Sequence, residues 1–138
     1  MTKNELQDYL KRLYEDQYAR RMTIDSMRAY LHKWSSYGDY PGKKDHDRFF
    51  EAAIDHERSK LEKVTANVEA WSQLVKNETH RAVFVDRYIN GMKWEDIADK
   101  YHYSNSQIFH INKKCCGEIA RKTVTDIVTD RAREAVSI

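Results

Sequence analysis

The chain has 138 residues, enough for one ordinary domain or two very small ones. Hydrophobic residues make up 41% and charged residues 33%, with one Pro and four Gly, which suits a highly helical protein and leaves a β-rich fold little turn material. The net charge of +2 splits evenly, 14 cations against 13 acids in residues 1–77 and 10 against 9 in residues 78–138, which excludes a basic tail and leaves any nucleic-acid contact to a local patch.

Thr2 and Glu5 form a capping box and predict a helix start. Apolar residues then recur at spacings of four and three: Leu6, Leu10, Leu13, Ile24, Met27, Leu31 and Trp34. Gln17 and Arg20 keep the register but are polar, so the stripe is that of a coiled-coil helix with a polar interruption. The segment 35–47 holds the only Pro and two of the four Gly and reads as a loop, with Asp47 as the cap of the next helix. That helix carries Phe50, Ile54, Leu61, Val64, Val68, Trp71 and Val75, with Glu57 as its polar exception.

Two such helices fold back most simply as an antiparallel hairpin, which alone buries too little surface to be stable. Residues 1–76 are therefore expected to pair with a second copy in a four-helix homodimer interface. The alternative is packing against residues 77–138. Gln17, Arg20 and Glu57 either form buried polar contacts that fix register or lie where the seam meets solvent.

Asn77 or Thr79 can cap a helix bearing Val83, Phe84, Tyr88 and Ile89, which Gly91 stops. The stretch KWEDIADKYHYSNSQIFHINKK follows, residues 93–114. Counted from Trp94, its fifth residue is the small Ala98. Its fourth, eighth, tenth, fifteenth and eighteenth are the apolar Ile97, Tyr101, Tyr103, Ile108 and Ile111. That arrangement fits two short helices sharing a core across a tight joint, a helix-turn-helix. His102 sits where the turn favours a left-handed backbone. Ser104 and Gln107 make a second capping box, and Glu95 and Asp96 occupy the first turn of the preceding helix.

If the second helix is a recognition helix, Ile108, Ile111 and Cys115 form its core face. Asn105, Ser106, Gln107, Phe109 and His110 are then the candidates to meet base edges in a major groove. Phe109 suits a thymine methyl or packing on the first helix. Lys93, Lys113 and Lys114 are the candidates for phosphate contacts. The remaining residues continue as a helix with Ile119, Val124, Ile127, Val128, Ala132 and Val136, placed either to cover the motif's core or to dimerise.

The stretch YINGMKWEDIADKYHYSNSQIFHINKKCCGEI resembles the fourth region of bacterial sigma factors. There a Gly-anchored helix precedes a scaffold helix of E-x-I-A pattern and a Ser/Thr-capped recognition helix. A helical N-terminal half followed by such a motif resembles phage late-gene transcription regulators of the ArpU and RinA type. The resemblance implies an all-α, phage-encoded activator of late genes that binds double-stranded DNA near a promoter in a Gram-positive host. The N-terminal hairpin departs from the promoter-melting region of sigma factors.

No catalytic constellation is present: there is no Gly-rich phosphate loop, no HExxH and no Cys/His set at metal spacing. The Asp45-His46-Asp47 run reads as polar loop and not as a metal site. Cys115 and Cys116 are adjacent and read as reduced packing residues. No cofactor is expected. No run approaches the roughly 20 apolar residues of a membrane span, and the first residues lack the apolar core of a signal peptide, so a cytoplasmic protein is expected. Two other functions stay open. One is a small-terminase-like DNA-packaging protein; the other is a helical interaction protein without DNA function, with host RNA polymerase as partner.

Overall fold

A computed structural model describes the backbone of residues 1–136 and the side chains of residues 1–123. The fold is all-α. In chain order, the helices among the described residues are α1 (Lys3–Ser35), α2 (Lys43–Ser72), α3 (Glu78–Tyr88), α4 (Trp94–Tyr101) and α5 (Asn105–Val136).

Helix α1 starts where Thr2 accepts the Glu5 N–H on its hydroxyl oxygen at 3.2 Å. Its seam is covered as the spacing predicts: Leu6, Leu10, Leu13, Gln17 and Ile24 are buried, and Arg20, Met27, Leu31 and Trp34 are half-buried. Contacts between α1 and α2 run in opposite directions along the two helices. Tyr9 meets Trp71, the Arg20 guanidinium meets Glu57 at 2.9 Å, and Tyr30 meets Phe50. The pair is therefore an antiparallel hairpin.

The connection is shorter than the segment 35–47 suggested. Helix α1 runs through Ser35, and α2 begins at Lys43 behind Gly42, whose φ of +81° turns the chain. Gly42, not Asp47, stands at the helix start, so no side chain caps it. Asp47 instead receives the Lys43 ammonium at 2.9 Å, one turn back along the helix. His46 is likewise helical and packed: its ring takes the Tyr40 hydroxyl at 2.8 Å and meets Trp34 and Phe50. The polar-loop reading of Asp45-His46-Asp47 is thus replaced by the start of a helix under an aromatic cluster.

Of the polar seam residues, Arg20 and Glu57 pair across the hairpin, while Gln17 is fully buried with no hydrogen-bond partner for either end of its amide. An unmatched buried amide costs about 1–3 kcal/mol.

One hydrophobic core runs through the chain. Leu6, Leu10, Leu13 and Val68 of the hairpin share it with Val83, Phe84 and Tyr88 of α3, Ile97 of α4 and Ile108, Cys115 and Ile119 of α5. The proximal half of the hairpin is therefore covered by residues of its own chain. The α2–α3 junction closes onto α5, where Lys122 donates to the Leu74 carbonyl and to Glu118. Among the described residues no helix is long and apolar enough to cross a membrane.

Candidate nucleic-acid interface

Asn77 opens α3 by accepting the His80 N–H at 3.1 Å. The chain leaves α3 through Gly91 (φ +71°), where an added Cβ would run into the Arg21 guanidinium of α1. Arg21 in turn donates to the Ile89 carbonyl. The hairpin thus holds the corner from which α4 departs.

Helix α4 meets α5 at a joint that the sequence specifies closely. Ile97, Ala98, Ile108 and Ile111 are buried, with Tyr101 and Tyr103 packed against them. His102 has φ +58° and ψ +40°, the left-handed turn that ends α4. Two reciprocal bonds then start α5: Gln107 N–H donates to the Ser104 hydroxyl at 3.2 Å, and Ser104 N–H donates to the Gln107 side-chain carbonyl at 2.8 Å.

A buried carboxylate braces this unit and was not singled out from the sequence. Asp86 of α3, 5% exposed, accepts the Tyr101 hydroxyl at 2.6 Å, the Lys100 ammonium at 2.9 Å and the Asn90 amide at 2.9 Å. Burial pushes its carboxyl up, but these three donors outweigh that and hold it below the usual carboxylate range. Tyr88 is tied to α5 through its hydroxyl, which donates to Asn112 at 2.8 Å. Arg87 is the second unforeseen residue. Its guanidinium lies 3.4 Å from the ring centre of Tyr14 on α1 and 4.3 Å from that of Trp94 on α4, and it donates to the Met92 carbonyl. It clamps hairpin, α3 and α4 together. Neither residue belongs to a periodic pattern, so only their place between apolar neighbours could have signalled them.

Every residue assigned to a DNA surface is exposed: Asn105, Ser106, Gln107, Phe109 and His110, with Lys93 at the start of α4 and Lys113 and Lys114 further along α5. Two assignments change in detail. The Gln107 carbonyl is occupied by the cap, so only its amide nitrogen is left to donate, and a two-pronged contact to adenine is closed to it. Phe109 is 49% exposed, with its ring edge-on to Trp94 at 5.9 Å, so it both packs on α4 and presents a free face. Beside it a cleft of about 310 Å³ opens between α1 and the α4–α5 unit, lined by Asp8, Lys11, Arg87, Trp94, Phe109 and Asn112 among others.

Cys115 and Cys116 are both buried. Burial pushes each thiol up to about 12, so both stay protonated at neutral pH and are poor nucleophiles and metal ligands. Among the described residues no group of three or more His, Cys, Asp or Glu is placed to hold a metal ion. Of the C-terminal stripe, Ile119 covers the core; Val124, Ile127, Val128, Ala132 and Val136 lie outside the described side chains. No family model, curated protein or solved structure matches this chain.

Proposed function

We propose that this chain is a sequence-specific DNA-binding transcription regulator, a phage late-gene activator acting in the cytoplasm of a bacterial host, and not an enzyme. The observation that carries the reading is the joint between α4 and α5. A left-handed His102 and a reciprocal Ser104–Gln107 cap launch a helix whose outer stripe of Asn105, Ser106, Phe109, His110 and Lys113 is uncovered. The inner side of that helix is locked by Ile108, Ile111 and Cys115. A helix held so firmly on one side and presenting short polar groups on the other suits insertion into a major groove. Ser106 and Asn105 would meet base edges near its start, and Lys93, Lys113 and Lys114 would hold phosphates beside them.

A homodimer through the hairpins would present two such helices to half-sites about one DNA turn apart, or a multiple of it. Linking two weak contacts then supplies affinity that the modest net charge does not. A second reading, a helical module that binds a protein such as host RNA polymerase, is favoured by the aromatic hairpin tip. There Tyr37 and Phe49 are 64% and 68% exposed.

The deciding experiment titrates wild type and Ser106→Glu against fragments of the genome that encodes the chain, at two salt concentrations. Selective binding that weakens with salt and is lost in the variant is the expected result. Equal, feeble binding by both proteins would overturn the DNA reading and favour the protein-binding one.

A further inference from the structure

A depression of about 400 Å³ lies against α5 and is walled by Lys3 of α1 and by His110, Lys113, Lys114, Glu118 and Arg121 of α5. Its one carboxylate is already engaged: Glu118 takes the Lys122 ammonium at 2.8 Å and the Lys76 N–H at 3.2 Å. Among the described residues no carboxylate forms an ion pair with Lys3, Lys113 or Lys114. The hairpin thus adds a cation from the other end of the sequence to the two lysines of α5.

The placement of Lys3 is set by packing. The Thr2 cap makes Lys3 the first residue of α1. Leu6 and Leu10 anchor that helix in the core shared with Cys116 and Ile119 of α5. Where the two helices meet, α5 has its one glycine, and a Cβ at Gly117 would stand 3.6 Å from Lys3 Cδ. The lysine stem therefore lies close along the α5 backbone. Ser106, His110, Lys113 and Gly117 recur at spacings of four, three and four, so they form one stripe of the helix. Lys3 consequently sits at the far end of the very stripe whose start carries the proposed base contacts. A helix lying in a major groove meets the sugar-phosphate backbone where its inserted stripe leaves the groove.

We propose that the first turn of α1 is part of the DNA interface, with Lys3 joining Lys113 and Lys114 in holding backbone phosphates of the duplex that α5 reads. This rests on the DNA-binding reading and extends it: the N-terminal hairpin becomes a contact element as well as a scaffold. Phosphate contacts are indifferent to sequence and release counterions, so they are read from the salt dependence of binding to mixed-sequence duplex.

The test compares wild type, Lys3→Gln and Lys60→Gln, full-length, on sheared double-stranded DNA over a range of salt. Lys60 is an exposed residue of α2 that does not line the depression, and its substitution removes the same charge. Circular dichroism and thermal melting check that both variants fold, as expected for exposed side chains. For Lys3→Gln the slope of log affinity against log salt should shrink by about one, with affinity falling alike on all sequences. Lys60→Gln should match wild type. If Lys3→Gln keeps the wild-type slope and affinity, or changes no more than Lys60→Gln, α1 does not touch DNA and the inference fails while the DNA reading stands. If wild type shows no salt-dependent binding to duplex at all, both fall together.

Discussion

At the scale of single residues, Asp86 ties stability to pH. Its folded carboxyl is held below the usual range by Tyr101, Lys100 and Asn90, so the unfolded chain binds the proton more readily. The stabilisation is then complete above the ordinary carboxylate value and is lost as pH falls through the lower, folded value. Asp86→Asn should therefore cost about 1–3 kcal/mol at neutral pH. Below about pH 4, where the unfolded chain begins to take up the proton, the gap should narrow, and it should close only below the lower, folded value. Chemical denaturation of both proteins at pH 7 and pH 3.5 checks this; a gap of equal size at both values would show that the Asp86 charge is not what matters. Asp86 was not legible in the sequence, because a lone acid in RAVFVDRYIN looks like any solvated helix residue. What buries it is the return of α4 over α3, and the donors Lys100 and Tyr101 lie 14 and 15 residues away.

At the scale of elements, the α4–α5 joint was the most legible part of the chain, because backbone geometry, cap and core all act within a few residues of one another. Its two devices carry opposite predictions. Ser104→Ala removes the acceptor for the Gln107 N–H and should destabilise by about 1 kcal/mol. His102→Gly relieves a non-glycine residue held at φ +58° and should raise the melting temperature, since a left-handed residue with a Cβ carries a strain of about 1 kcal/mol. Thermal melts of the two variants beside wild type test both signs at once. A fall in both would mean that His102 contributes contacts of its own that offset its strained backbone. The start of α2 was less legible. Its apolar pattern does not begin until Phe50, and the helix is opened by the turn at Gly42, with no side-chain cap to read. A polar helix start that contains Asp45 and Asp47 is indistinguishable from a loop until the aromatic rings around His46 are seen.

At the scale of the whole molecule, the heptad seams announced that α1 and α2 had partners, but periodicity does not say whose residues those partners are. The proximal seam is used within the chain: Leu6, Leu10, Leu13 and Val68 belong to the core shared with α3, α4 and α5. The distal part is different. Beyond the Arg21 contact to Ile89, the buried apolar residues of the hairpin are Ile24 and Ile54, while Met22, Tyr30, Tyr37 and Phe49 are exposed. An arm with so little burial should open in local excursions well below the global unfolding free energy, whereas Leu10, Phe84 and Ile119 should exchange only on global unfolding. Hydrogen exchange should therefore divide α1 and α2 into a slow proximal half and a fast distal half. The proposed dimer makes a further demand. If the distal arms pair between copies, their exchange should slow as protein concentration rises while the proximal half stays unchanged, because association stabilises only the surface it covers. Distal protection that is independent of concentration across the range used for DNA binding would leave the arms unpaired, and the hairpin would then serve to hold α1 against α5.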